Sequence, residues 1–377
     1  MMSRPGVLFA LLGIAGLFLP LVHLRPNRIV PGEGITLTAG FATGPLIAVG
    51  LAAILIAGCL GRWSPGLRTA AALLGLVGVI SSLGLAAGHL LPKGNGLARV
   101  APASGFWLLL AAFAFMLADG LTRLRPSVAA SWLILAGVLV LAAALLGSGM
   151  LDQVSVMREY ATRRGPFLAE TQTHLALAFG SLGLALAVGL PLGVAIYLTA
   201  RVRGPVLTVL NIVQTIPSLA LFGIMIPLLG WIATLPGADR LGVSGIGSFP
   251  ALIALFLYAL LPVVSNTLSG LQGVPLPVRE AALGLGMTRG QLLAQVLIPL
   301  ALPSLLAAVR IVLVQNIGLA VIAGLIGGGG FGTFVFQGLN QTAMDLVLLG
   351  ALPTIALALL AGIVMDLLLG MSRGAQA

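Results

Sequence analysis

Residues 249–299 read FPALIALFLYALLPVVSNTLSGLQGVPLPVREAALGLGMTRGQLLAQVLIP. The first part, 249–270, is an apolar run. At about 1.5 Å per helical residue it is long enough to cross the ~30 Å hydrocarbon core of a bilayer. Val274-Pro275-Leu276-Pro277 then stops the helix, because proline supplies no N–H and its ring clashes with the preceding turn. The next segment is charged and glycine-bearing: Glu280-Ala281-Ala282-Leu283-Gly284-Leu285-Gly286, running on to Val296-Leu297-Ile298-Pro299 and the next apolar run. Val278 to Leu285 is expected to form a short helix with a small-residue face and Glu280 in its first turn, where the helix dipole favours an acid. Gly286 is expected to allow a sharp turn. Thr288 is placed to cap a second helix that reaches Leu297 and ends at Pro299. Crossing a membrane needs none of this. The insert reads as a protruding hook, or else as an ordinary amphipathic cytoplasmic loop.

The rest of the chain sets the class. Hydrophobic residues make up 59% of it and charged residues 7%, and mean hydropathy is +1.15. No soluble core hides that much apolar surface, and with no water in the bilayer to satisfy backbone groups the runs must be helices. We expect an all-α polytopic membrane protein with about ten transmembrane helices, near 6–24, 41–60, 69–91, 104–121, 130–149, 175–198, 206–230, 249–270, 304–326 and 345–369. The start of the chain has the look of a signal peptide, but the run 6–24 is long for one and has no small-x-small cleavage site, so a retained first helix is expected.

Net charge is +10, and all but one of the 19 basic residues are Arg. They are scattered in short loops without aromatic interleaving, so nucleic acid is not the expected partner; an anionic membrane surface is. One set of connections (Arg4, Arg62, Arg68, Arg123, Arg125, Arg201, Arg203, Arg279, Arg289, Arg373) has few acids: Glu280, with Asp119 and Asp366 at span ends, close enough to snorkel. The other set (Arg25, Arg28, Lys93, Arg99, Arg158, Arg163, Arg164, Arg240) is offset by Glu33, Asp152, Glu159, Glu170, Asp239 and Asp345. The first set is expected inside, with both termini. Trp63, Trp107, Trp132 and Trp231 fall near span ends, as an interfacial belt requires. Three domains are expected: an extension of about five helices over 1–150, a periplasmic connector over 151–174, and a second membrane block over 175–370 with a cytoplasmic loop over 271–303.

The two blocks differ in chemistry. Polar and Pro/Gly features concentrate in the second: Asn211, Gln214, Pro217, Pro262, Asn266, Gln315 and Asn316. Polar groups inside a bilayer face a bundle interior or a wet path, and the alternative for each is plain helix–helix bonding. Lys93 is the only lysine and is not in a G-x-x-x-x-G-K-[ST] setting, so the chain carries no Walker A motif. His23, His89 and His174 lie far apart without metal-ligand spacing, Cys59 is single, and no Ser/His/Asp set suggests itself. Gly327-Gly328-Gly329-Gly330-Phe331-Gly332 fits G-x-G-x-x-G formally, but it follows an apolar helix rather than a strand. It reads as a flexible or tightly turned extracytoplasmic re-entry, either a plain loop or part of a gate.

Glu280-Ala281-Ala282, three residues, Gly286, nine residues, Val296-x-Ile298-Pro299 resembles the EAA loop of ABC importer permeases, with conservative departures at the two aliphatic positions. Gln214-Thr215-Ile216-Pro217-Ser218-Leu219-Ala220, Tyr258-Ala259-Leu260-Leu261-Pro262 with Asn266-Thr267, and Leu325 to Gly332 narrow the resemblance to the permeases of glycine betaine, choline and proline-betaine uptake. It covers about 165–370 and implies a type I permease core there. It also implies that Glu280, Ala281, Ala282, Gly286 and Pro299 couple the chain to a cytoplasmic ATPase. Gln214, Pro217, Ser218, Asn266 and Asn316 become translocation-path candidates. Implied partners are the ATPase, a periplasmic or surface binding protein that selects substrate, and a second permease, in a bacterial inner membrane. ATP would be bound by the partner, with no cofactor or metal in this chain. An amino acid as substrate, an ion-coupled secondary transporter, and a non-transporting scaffold or sensor built on the first spans are the competing readings. The second would need intramembrane acids or broken-helix repeats as coupling sites, and the sequence shows few of either.

Overall fold

The computed structural model describes residues 4–28, 30–59, 64–91, 96–238, 240 and 242–374. Arg62, Trp63, Lys93 and Asp239 lie outside them, as do the side chains of Arg4, Cys59 and Arg373. The chain divides into two compact units, Met1–Thr162 and Arg163–Ala377.

The first unit runs α1 (Arg4–Phe18), β1 (Pro20–Arg25), β2 (Glu33–Thr36), α2 (Gly44–Cys59), α3 (Pro65–Leu90), β3 (Arg99–Pro102), α4 (Ser104–Leu124), α5 (Val128–Gly147) and α6 (Ser155–Thr162). Its core is built on Leu109, Phe113 and Met116 of α4 against Ala72, Val79 and Leu83 of α3. Ser64 and Ser127 cap α3 and α5, their hydroxyls accepting from the Leu67 and Ala130 N–H groups. No residue of α5 is buried. It is apolar all round, as a helix solvated by lipid should be. The expected first span, 6–24, is corrected. Pro20 cannot extend the helix, so α1 stops at Phe18, and 20–25 becomes the central strand of an antiparallel sheet ordered β2-β1-β3. Asp119 does not snorkel. It pairs with Arg68, whose side chain is only 2% exposed, and with Arg123.

The second unit runs α7 (Arg164–Leu198), α8 (Ala200–Thr215), α9 (Ser218–Ile232), α10 (Ser248–Gln272), α11 (Leu276–Gly284), α12 (Arg289–Gln291), a π-helical turn (Leu292–Leu297), α13 (Ile298–Leu319), a 3₁₀ turn (Ala320–Ile326), α14 (Gly332–Asn340) and α15 (Met344–Gly374). Helix α7 starts well before the expected span at 175, so much of the polar stretch 151–174 is helical. Helix α10 lies at the centre of the unit: Leu255 and Tyr258 pack with Leu177, Phe222 and Ala323, and Val263 packs with Ala185 and Val312. Among the described residues seven helices are long and apolar enough to span a membrane, or eight if one bent pair counts as a span. The bent pair corrects the continuous span expected at 206–230: α8 and α9 meet at 101°. Pro217 denies its neighbour the helical region, and Ile216 is extended, φ −69° and ψ 125°. Asp366 pairs with Arg310 across α13 and α15 at 2.8 Å rather than reaching out alone. The remaining tryptophans sit near helix ends: Trp107 and Trp132 early in α4 and α5, Trp231 at the end of α9.

Candidate functional site

The hook is a folded device with its bonds accounted for. Leu276–Gly284 is helical, so Glu280 lies in the second turn, past the reach of the first-turn dipole expected for it. The helix ends in a Schellman closure. The Gly286 N–H donates to the Leu283 carbonyl and the Met287 N–H to the Ala282 carbonyl, with Gly286 at φ 83°. Thr288 caps the second arm through a reciprocal box with Gln291. That arm does not end at Pro299 as expected. The Ile298 N–H bonds back five residues to the Leu293 carbonyl, and the widened π turn carries the helix past the proline into α13. Glu280 and Ala281 are exposed, and Ala282 is buried. Leu276, Leu283 and Leu285 are 62%, 49% and 82% exposed, an apolar surface on a charged loop.

Arg279, read from sequence only as a loop charge, anchors the hook. Its guanidinium donates to the carbonyls of Val274, Leu271 and Gln272 and to the Tyr197 hydroxyl, and it sits 5.9 Å from the Tyr197 ring centroid. It thereby closes the exposed carbonyl end of α10 and ties the hook to α7. Its position one residue before Glu280 was the available signal.

The path candidates separate into two groups. Gln214, Pro217 and Ser218 line an open cavity of about 410 Å³, with Thr215, Ile216, Tyr258, Gln315 and Leu319. The cavity forms at the break between α8 and α9, and proline chemistry on α10 explains how it is braced. Pro262 has no N–H to give the Tyr258 carbonyl one turn back. The Gln214 amide fills that vacancy at 2.8 Å, and the Tyr258 hydroxyl donates to the Ile216 carbonyl. Asn266 bonds the Pro262 carbonyl, two turns from the cavity wall. Asn316 is not among the described residues lining that cavity; it is fully buried and donates to the Ser181 hydroxyl at 2.7 Å, joining α13 to α7.

The glycine stretch is tightly turned, with Gly327, Gly329 and Gly330 at φ 75–79°. The start of α7 clamps it. Glu170 accepts from the Gly330 N–H and His174 from the Phe331 N–H, while the Phe331 ring lies 5.5 Å from Phe167 and 4.7 Å from His174.

Residues 185–372 match the family described as the binding-protein-dependent transport system inner membrane component, and residues 3–157 match the N-terminal domain of ABC transporter permease YehY. The osmoprotectant import permease protein OsmW of Salmonella typhimurium is 42% identical over 199 residues, 53% of this chain and 86% of that protein. The glycine betaine/carnitine/choline transport system permease protein OpuCB of Bacillus subtilis is 38% identical, over 53% and 85%. A solved structure of the MetNI methionine ABC transporter, inward facing, aligns at 25% identity over 55% of this chain and 96% of that one, with a TM-score of 0.49. The chain belongs to the family of membrane permease subunits of binding-protein-dependent ABC importers. It is a multi-pass membrane protein, and the family works with a separate ATPase and a substrate-binding protein.

Proposed function

We propose that this chain is the permease through which a quaternary-ammonium osmolyte, glycine betaine, choline or a near relative, enters the cytoplasm. The observation that carries the mechanism is the hook: a rigid, bonded turn that leaves Glu280, Ala281 and three leucines exposed. Such a surface fits a cleft on the ATPase, and Arg279 transmits its movement to α7 and α10. Closure of two ATPases would draw two hooks together, one from each of two permeases, and open the path towards a docked binding protein; release would reset it inward. Both termini and the hook then face the cytoplasm.

The cavity suits the substrate class. Among the described residues its wall has no charged side chain, only amide, hydroxyl, ring and aliphatic surface. A quaternary ammonium has no N–H to donate, so a neutral polar wall lets it pass without trapping it, and selection is left to the binding protein. Gln214, Pro217 and Ser218 form the wall, and Asn266 holds the helix behind it.

The test is uptake of radiolabelled glycine betaine by proteoliposomes holding this chain, its ATPase and its binding protein. The expected result is ATP-dependent accumulation competed by choline. Uptake driven by a proton or sodium gradient without ATP, or ATP-driven uptake of an amino acid and not of betaine, would overturn the reading.

A further inference from the structure

Four arginines of the first unit gather at the open end of its small sheet. Arg25 ends β1 and Arg99 begins β3, and the two are direct cross-strand partners. Like charges placed opposite each other on neighbouring strands destabilise a sheet unless something neutralises them. Arg158 of α6 donates to the carbonyls of Ala98 and Gly96, the same two carbonyls that Arg99 uses, which holds a third guanidinium beside the second. Burial and the Arg99 charge both push the Arg158 pKa down, the electrostatic signature of crowded cations. Arg28 follows β1 by three residues and faces Glu159, a buried carboxylate, at 3.6 Å. The other acids of the surrounding elements are Glu33, exposed on β2, and Asp152, exposed in the turn before α6. Four guanidiniums therefore meet three carboxylates, only one of them buried with the cluster.

The donors are also incompletely used. Nε of Arg25, Nε of Arg28 and Nε of Arg99 are shielded from solvent and have no hydrogen-bond partner among the described residues, and Nη2 of Arg28 has only the 3.6 Å ion pair to Glu159. Buried donors without acceptors are costly, and a group offering several acceptor oxygens would satisfy them together. The cluster is recessed, with the Arg28 side chain 29% exposed. That shape favours a small oxyanion over the flat surface of another protein.

Helix lengths give its depth. Helix α1, which leads into β1, has 15 residues, and α2 has 16. Both are therefore about 22–24 Å long, short of the ~30 Å hydrocarbon layer. Helix α4 begins two residues after β3 ends. The sheet thus lies where the apolar helices stop, at headgroup level.

We propose that Arg25, Arg28, Arg99 and Arg158 form a site for a phosphate group, either on an anionic lipid headgroup or free in solution. It would complete the charge and hydrogen-bond balance of the sheet. The experiment uses the full chain purified in neutral detergent, with its melting temperature followed on titration with inorganic phosphate in one arm and short-chain phosphatidylglycerol in the other, against short-chain phosphatidylcholine. We expect a rise of about 3 °C or more in at least one anionic arm, lost in Arg25→Gln with Arg99→Gln. A rise with phosphatidylglycerol alone identifies a lipid site, and a rise with both identifies the phosphate itself. The single Arg99→Gln variant guards against a folding defect. Without anion it should melt higher than the parent because like-charge opposition is relieved, and with anion it should melt lower. No rise in either arm, or an Arg99→Gln variant that melts lower under both conditions, would overturn the proposal.

Discussion

The two units solve the problem of living in a bilayer in opposite ways. In the first, the spanning helices α3, α4 and α5 have no interior proline, and the intramembrane-edge charges Arg68, Asp119 and Arg123 are tied to each other. In the second, Pro191, Pro205, Pro227, Pro262, Pro303 and Pro353 all lie inside helices, two helices meet at a right-angled break, and another carries a π turn. Each proline frees a carbonyl, and at Pro262 that carbonyl becomes the receptor for Gln214 at the cavity. Irregular backbone in a membrane survives only where protein or a wet cavity satisfies it. On the function proposed above, the irregular unit, which matches the transport-system family, carries the path and the regular unit acts as support.

The contrast yields outcomes of decreasing size. Asp119→Ala leaves Arg68 buried without its carboxylate, which should cost about 3–5 kcal/mol. If the first unit is support, thermal stability falls sharply while ATP-dependent uptake by the surviving folded complex is retained, and loss of uptake from a fully folded variant breaks the contrast. Gly332→Ala acts in the other unit. Its new Cβ would lie 1.8 Å from the Val321 carbonyl oxygen, an overlap costing about 3 kcal/mol. Here uptake should fall by more than the amount of folded protein does, as measured by rate per mole of assembled complex. Gln214→Leu should cost about 1–3 kcal/mol by leaving the Tyr258 carbonyl unfilled. It should lower uptake with little effect on co-purification of the ATPase, and unchanged uptake would remove the cavity from the path.

The long apolar runs were legible because a span needs little more than length and hydropathy. What they hid was direction. Residues 206–230 are apolar enough on average to read as one span despite Asn211, Gln214, Thr215 and Ser218, so mean hydropathy does not record the turn that Pro217 imposes. The strand Pro20–Arg25 continues the apolar run of the helix before it; Pro20 marks the break, but only the pairing with β2 and β3 shows that a strand follows. In the hook, Gly286 and Thr288 were readable as a turn and a cap because each acts on its own neighbours. The π turn that carries the chain past Pro299 was not, since it depends on the whole helix continuing. Of the path candidates, Gln214, Pro217 and Ser218 share one local break and came together. Gln315 lines the cavity while Asn316 does not, because adjacent helical residues point about 100° apart and sequence alone does not tell which faces the wall.

The central claim is that the exposed hook couples this chain to an ATPase. The most direct measurement is ATP-dependent glycine betaine uptake by the reconstituted complex with and without Glu280→Lys, with assembly followed by co-purification of the ATPase. The account predicts that the chain folds normally, that uptake is abolished, and that ATPase association or its stimulation by loaded binding protein is lost. Undiminished uptake and association in the variant would contradict it.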